Sequence, residues 1–266
     1  MTADGVRVYP AARPNGSGLV WAHGGGFAAG DLDMPEADHV ARTLAEAGTT
    51  VVSVDYRLAV GGVRFPVPLD DVEAGWRWTW QRRAELGIDR LAIGGASAGG
   101  NLAAAAALRL ASGPDAPALV VLAYPTLLAI QPAPDAALRA ALDAHPAADR
   151  FGPSVVRSMY ENYLGAAAET APVAAAPGLA TAAELADYPP TLIVNAEVDE
   201  LRVSAEVFAA TLRAAGRPVE LVTQPGTDHG FLNRPAECAD AVAETLALLA
   251  ARIAGRRMPD SEEMAR

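Results

Sequence analysis

The stretch LAIGGASAGGN, Leu91 to Asn101, passes from aliphatic residues into glycines and alanines that surround one serine. A short apolar run bounded this way reads as a strand buried on both faces. The following NLAAAAALRLA reads as a helix, so Ser97 falls on the turn between the two. Gly95-Ala96-Ser97-Ala98-Gly99 fits G-x-S-x-G, a turn in which a nucleophile takes a strained backbone and only small neighbours let strand and helix close up. The helix N-terminus behind it favours negative charge developing nearby. A serine that merely caps a Gly-rich turn would look the same locally. Residues elsewhere in the chain must decide.

Outward from this turn, GLVWAH, TTVVSVD, ALVVLAY and TLIVNA repeat the pattern of a doubly buried strand, and longer helical patterns alternate with them. That alternation predicts an α/β fold with a mostly parallel sheet flanked by helices. Asp33 to Gly48 carries an Asp cap, an early proline, Val40 and Leu44 on one face and a terminal glycine, which predicts a helix. In PLDDVEAGWRWTWQRRAELG, Val72, Trp76 and Trp80 recur every four residues, a core-facing stripe. The alternation stops between Thr126 and Asp187, where Ala- and Pro-rich segments offer helices without a strand. We read 126–187 as a cap insertion over the sheet edge within one domain spanning 1–254, followed by a polar tail at 255–266.

Composition narrows the function classes. The 266 residues are 51% hydrophobic and 20% charged, with 32 acidic against 21 basic residues and a net charge of −11. No nucleic acid partner is expected of so acidic a chain. No apolar run approaches the roughly 18 residues of a membrane span and no apolar leader follows Met1. The expectation is a cytoplasmic protein with no membrane partner. Cys238 sits in the apolar pattern AECADAVAETLALLA, where a buried small hydrophobe is expected rather than a nucleophile.

A serine nucleophile needs a base and an orienting acid, and on this fold both follow it in the chain, acid first. Of four histidines, His23 and His39 precede Ser97 and His145 lies in the insertion, so order leaves His229, in PGTDHGF beyond the strand-like PVELVTQ. A loop at the carboxyl end of a parallel strand is where sites of such sheets gather. The acid should lie just past TLIVNA, where Glu197, Asp199 and Glu200 stand. Asp199 is the choice because it clears the strand; spacing leaves the other two open. Upstream, three consecutive glycines in WAHGGGFAAGD allow the backbone to approach a ligand with its amides.

A rival from another class uses the same glycines. Gly24-x-Gly26-x-x-Ala29 after a strand, with Asp55 ending the next, resembles a dinucleotide fingerprint. That motif must open a helix directly, whereas GDLDMPEA intervenes here. The chain contains no lysine, which removes a Walker A loop.

With HGGGF, GASAGGN, DELR and DHGF in this order, and DYRLA, FPVPLDD and YP between them, the chain from about Val6 to Arg252 resembles the hormone-sensitive-lipase-like (HGGG) branch of the α/β-hydrolases, bacterial carboxylesterase type. The resemblance implies Ser97 as nucleophile, His229 as base and Asp199 as acid, with the amides of Gly25, Gly26 and Ala98 as the oxyanion hole. It implies that His23 braces the glycine loop, that Asp55 and Arg57 are structural, and that no cofactor or metal is needed. The expected activity is serine carboxylesterase, on short- to medium-chain acyl esters through an acyl-enzyme on Ser97. An arylformamidase-like amide hydrolase and a non-catalytic small-molecule receptor of the same fold are the alternatives. A small-molecule ester is the expected partner, and a homodimer is the assembly to be tested. Three departures stand out: Ala96 where the family usually has an acid, Val203 where DPLRDEG-like segments carry another, and about twenty residues ahead of His23. So short a lead is expected to leave out the N-terminal helical cap and first strand, reducing the lid.

Overall fold

The computed structural model describes residues 5–256. Most of the tail anticipated at 255–266 lies outside these residues. The strands are β1 (Val6–Tyr9), β2 (Ser17–Ala22), β3 (Thr50–Val54), β4 (Arg90–Ala96), β5 (Val120–Ala123), β6 (Thr191–Val198) and β7 (Val219–Asp228). They form one sheet in the order β1-β3-β2-β4-β5-β6-β7. All neighbours are parallel except β1, which runs antiparallel to β3 with Val6 opposite Val54. The sequence reading did not anticipate β1, because VRVY is too short to carry a periodic signal.

Helices cover both faces. α1 (Asp38–Glu46) and α7 (Ala239–Ile253) lie on one, and α2 (Val67–Arg82), α3 (Ala98–Leu110) and α6 (Arg202–Ala214) on the other. Strand residues alternate between the two: Leu19, Val121 and Leu192 join Leu44 and Leu249, while Val20, Val120 and Ile193 join Trp76, Leu102 and Phe208. This double burial is why the strands read as unbroken apolar runs. Val72 and Trp76 are buried as expected, and Trp80 is half-buried, stacked on Trp76 at 6.4 Å between ring centres. Cys238 is half-buried at the start of α7 and packs on the α1 side of the core.

The helix expected from Asp33 begins only at Asp38. Asp33 pairs with Arg7 instead of capping, and residues 34–37 form a turn that draws Glu36 inward. The insertion also differs in place. It folds into α4 (Ala136–Ala144), α5 (Pro153–Leu164) and short turns. Rather than covering the sheet edge, it lies on the carboxyl ends of the central strands. Tyr163 stacks on Phe27 beyond β2 at 4.0 Å, and the Asn101 amide on α3 donates to the Tyr160 hydroxyl at 2.8 Å.

Candidate active site

Register builds the site. β4 ends at Ala96, paired with Ala123, so Ser97 and Tyr124 leave the sheet side by side. Both adopt positive φ, 53° and 36°. Such conformations cost on the order of 1–3 kcal/mol for non-glycine residues and persist only where the surroundings impose them. Here the Ser97 amide donates to Ala123 O at 2.9 Å and its carbonyl accepts from Asn101 N at 3.1 Å, which fixes the turn.

The glycines around Ser97 are required by contact. A methyl at Gly99 would overlap the carbonyl oxygens of Ala22 and His23, and one at Gly95 would overlap Gly99 O and come within 2.7 Å of Ala22 O. Gly99→Ala is therefore expected to destabilise the protein by about 3 kcal/mol or more, since backbone cannot move aside as a side chain can. Gly152→Ala, where the added methyl meets only Glu200 Oε2 at 3.5 Å, is the matched control. Equal melting temperatures for the two variants would refute this account.

At the next strand pair, Val198 on β6 stands opposite Asp228 on β7. Asp199 and His229 are each the following residue, so parallel pairing alone brings acid and base together. His229 Nδ1 lies 2.7 Å from Asp199 Oδ2, and His229 Nε2 lies 3.0 Å from Ser97 Oγ. All three are buried: Asp199 is 0% exposed, Ser97 6% and His229 7%. The second oxygen of Asp199 accepts from Leu201 N at 2.9 Å. Glu197, left open by spacing, turns away to accept from Gly226 N at 2.8 Å. Glu200 faces the insertion, and His145 bonds its own helix at Ala141 O.

The glycine loop sits against the serine. Gly25 and Gly26 have φ of 114° and 60°, and Gly25 O accepts from Ala28 and Ala29. Among the described residues, the amides of Gly25, Gly26 and Ala98 donate to no protein group. His23 places Nδ1 2.7 Å from Gly24 O and stacks on Tyr56, whose hydroxyl donates to His23 O at 2.8 Å. Burial holds the His23 imidazole below the usual histidine range, so it stays neutral while supporting the loop. Arg57 pairs with Asp71 in FPVPLDD through three hydrogen bonds, one from its backbone amide and two from its guanidinium, and Asp55 donates its amide to Gly5 O. The loop opens no helix, which removes the dinucleotide reading.

Several residues at the site escaped the sequence reading. Phe151 lies 4.4 Å from the His229 ring, Arg150 donates to His229 O at 2.9 Å, and a methyl at Gly26 would meet Met159 Sδ at 3.3 Å. All three belong to the insertion, where no local pattern marks a residue that reaches back over the sheet. Glu36 was also missed, and Tyr124 entered only through the YP of the resemblance, without a role. A hollow of about 540 Å³ between β7 and α7, lined by Gln224, Glu237 and Glu244, contains none of Ser97, Asp199 and His229.

Residues 19–233 match the family described by the α/β-hydrolase fold. Carboxylesterase NlhH of Mycobacterium tuberculosis is 41% identical over 236 residues, 86% of this chain and 71% of its own length. Ethyl acetate hydrolase of Pseudomonas putida is 34% identical over 228 residues, 82% of this chain and 66% of its length. The solved structure of EstE1, a thermophilic carboxylesterase cloned from a metagenomic library, aligns with a TM-score of 0.78 at 32% identity, over 96% of this chain and 85% of that one. The chain belongs to the α/β-hydrolase fold family, in its hormone-sensitive-lipase-like branch.

Proposed function

We propose that Ser97, His229 and Asp199 hydrolyse small acyl esters through an acyl-enzyme. The chain is a carboxylic ester hydrolase. The observation that carries the residue assignment is the continuous hydrogen-bond chain from Ser97 Oγ through His229 to Asp199, with three amides beside the serine that donate to no group among the described residues. His229 Nε2 takes the Ser97 proton as Oγ bonds to the ester carbonyl carbon, and the resulting oxyanion accepts from Gly25, Gly26 and Ala98. Collapse expels the alcohol, which leaves with the proton from His229. Water then attacks the acyl-enzyme with the same base, and the carboxylic acid departs from a regenerated serine.

Short acyl groups fit this site best. Met159 over Gly26 and Phe151 against His229 bring the insertion onto the reacting atoms. A relative of the family carries the name ethyl acetate hydrolase. A panel of p-nitrophenyl esters from acetate to palmitate is the test. Acetate to hexanoate should exceed palmitate in kcat/KM by roughly 100-fold, the scale on which pocket walls discriminate. Preferred turnover of palmitate would refute the short-acyl assignment. No helix among the described residues is long and apolar enough to cross a membrane. A cytoplasmic location belongs to this proposal on sequence grounds alone, and size-exclusion chromatography tests the homodimer.

A further inference from the structure

Glu36 is a buried acid that no step above uses. It is 2% exposed. Its Oε1 accepts from Gly24 N at 2.7 Å and its Oε2 accepts from the Tyr124 hydroxyl at 2.8 Å. The Glu36 amide donates to Asn233 Oδ1 at 3.1 Å, and its carbonyl accepts from Trp21 Nε1 at 2.8 Å.

Three of those four bonds reach segments that carry the chemistry. Gly24 opens the loop of Gly25 and Gly26, Tyr124 sets its ring edge against His229 at 5.0 Å, and Asn233 lies four residues beyond His229. Gly24 must be glycine because the carboxylate occupies the volume of its side chain. A methyl there would overlap Glu36 Oε1 while meeting Ser97 Cβ at 3.1 Å and Ala96 O at 3.2 Å. The carboxylate thus converges with the serine turn, in a chain whose Ala96 supplies no acid of its own.

We propose that Glu36 is a positioning residue that locks the glycine loop and the base-bearing loop into one arrangement. The inference rests on the assignment of Ser97 and the oxyanion donors above. A buried carboxylate is costly unless its oxygens are bonded, and here they bond Gly24 of the glycine loop and Tyr124, whose ring packs on His229, while the Glu36 backbone amide holds Asn233 beyond the base. Without Glu36 the Gly24 amide is released and the next two peptides lose their fixed aim. Because those amides act on charge that exists only in the transition state, the loss falls on kcat and leaves KM nearly unchanged.

The test uses the full chain with Glu36→Ala and Glu36→Gln. Active sites are counted by fluorophosphonate labelling, so that turnover is expressed per competent Ser97. Glu36→Ala should lower kcat per labelled site on the order of 100-fold, with KM within about threefold. Affinity for a trifluoromethyl ketone, which forms a hemiketal oxyanion on Ser97, should fall in parallel. Glu36→Gln keeps an oxygen for Gly24 N and should recover most of the turnover. A merely structural Glu36 would reduce the number of labelled sites and leave kcat per site as in the wild type; that result, or a loss carried by KM, overturns the proposal. If Glu36→Ala does not fold, Tyr124→Phe and Asn233→Ala each cut one anchor and are read by the same criteria. Failure of the wild type itself to label would instead refute the Ser97 assignment, so the two failures are distinguishable.

Discussion

Ser97→Ala is expected to abolish covalent capture by a fluorophosphonate and to lower ester hydrolysis by roughly 10⁴- to 10⁶-fold, while the protein still folds. The size of the effect follows from the chemistry, because no acyl-enzyme can form without Oγ. The intact fold follows from the surroundings. Among the described residues Ser97 Oγ has one protein partner, His229 Nε2 at 3.0 Å, so alanine forfeits a single hydrogen bond and about 1 kcal/mol. The strained backbone at φ 53° is set by Ala123 O and Asn101 N and is the same for alanine. Intact-protein mass spectrometry should show one adduct on the wild type and none on the variant, with melting temperatures only a few degrees apart. Labelling of Ser97→Ala would place the nucleophile elsewhere.

The parts of this site that the sequence disclosed are those whose requirements are local. Ser97 was legible because the turn needs small residues on both sides, and Gly95 and Gly99 each meet backbone at contact distance. Order singled out His229, whereas spacing left Asp199 open beside Glu197 and Glu200; in the structure Asp199 and His229 each follow one member of the Val198–Asp228 pair. Glu36 was invisible for the opposite reason. An acid near the start of a helix pattern is favoured by the helix dipole and reads as a surface residue. Its burial depends on Asn233 and Tyr124, 197 and 88 residues away along the chain. The helix start predicted at Asp33 failed for the same cause, since residues 34–37 answer to those distant partners.

The departures from the family pattern in DELRVSA find partners in the insertion. Val203, where a further acid is usual, packs with Val198 against Leu138, Leu142 and Ala148. Glu200 is buried, which pushes its carboxyl above the ordinary glutamate range, and Asp149 and Arg139 of the insertion stand beside it. Arg139 also bonds Asp149 at 2.6 Å. The turn that bears Asp199 therefore doubles as the seat of α4. Its apolar and charged halves both face the insertion, which accounts for residues at 200 and 203 that serve docking in place of catalysis.

Asp199→Asn should lower kcat by roughly 10⁴-fold, against a change of less than about tenfold for Glu197→Gln. The argument turns on where protons must sit. Asp199 uses one oxygen for Leu201 N at 2.9 Å and the other for His229 Nδ1 at 2.7 Å, so the aspartate is an acceptor on both sides. Asparagine has one acceptor and one donor end. Its oxygen stays with Leu201 N, because the flipped amide would set a donor against a buried donor. The amide nitrogen then faces His229 Nδ1, which must accept and so carries no proton. The imidazole proton moves to Nε2, the atom 3.0 Å from Ser97 Oγ, and the base can no longer take the serine proton. Shape is retained and the tautomer is wrong. Glu197→Gln leaves this chain untouched, since Glu197 Oε2 accepts from Gly226 N and a glutamine oxygen does the same. Turnover numbers for the two variants, measured on p-nitrophenyl acetate with active sites counted by label, check the ranking. A larger loss at Glu197 than at Asp199 would mean that the hydrogen-bond chain drawn through Asp199 is not the one that works.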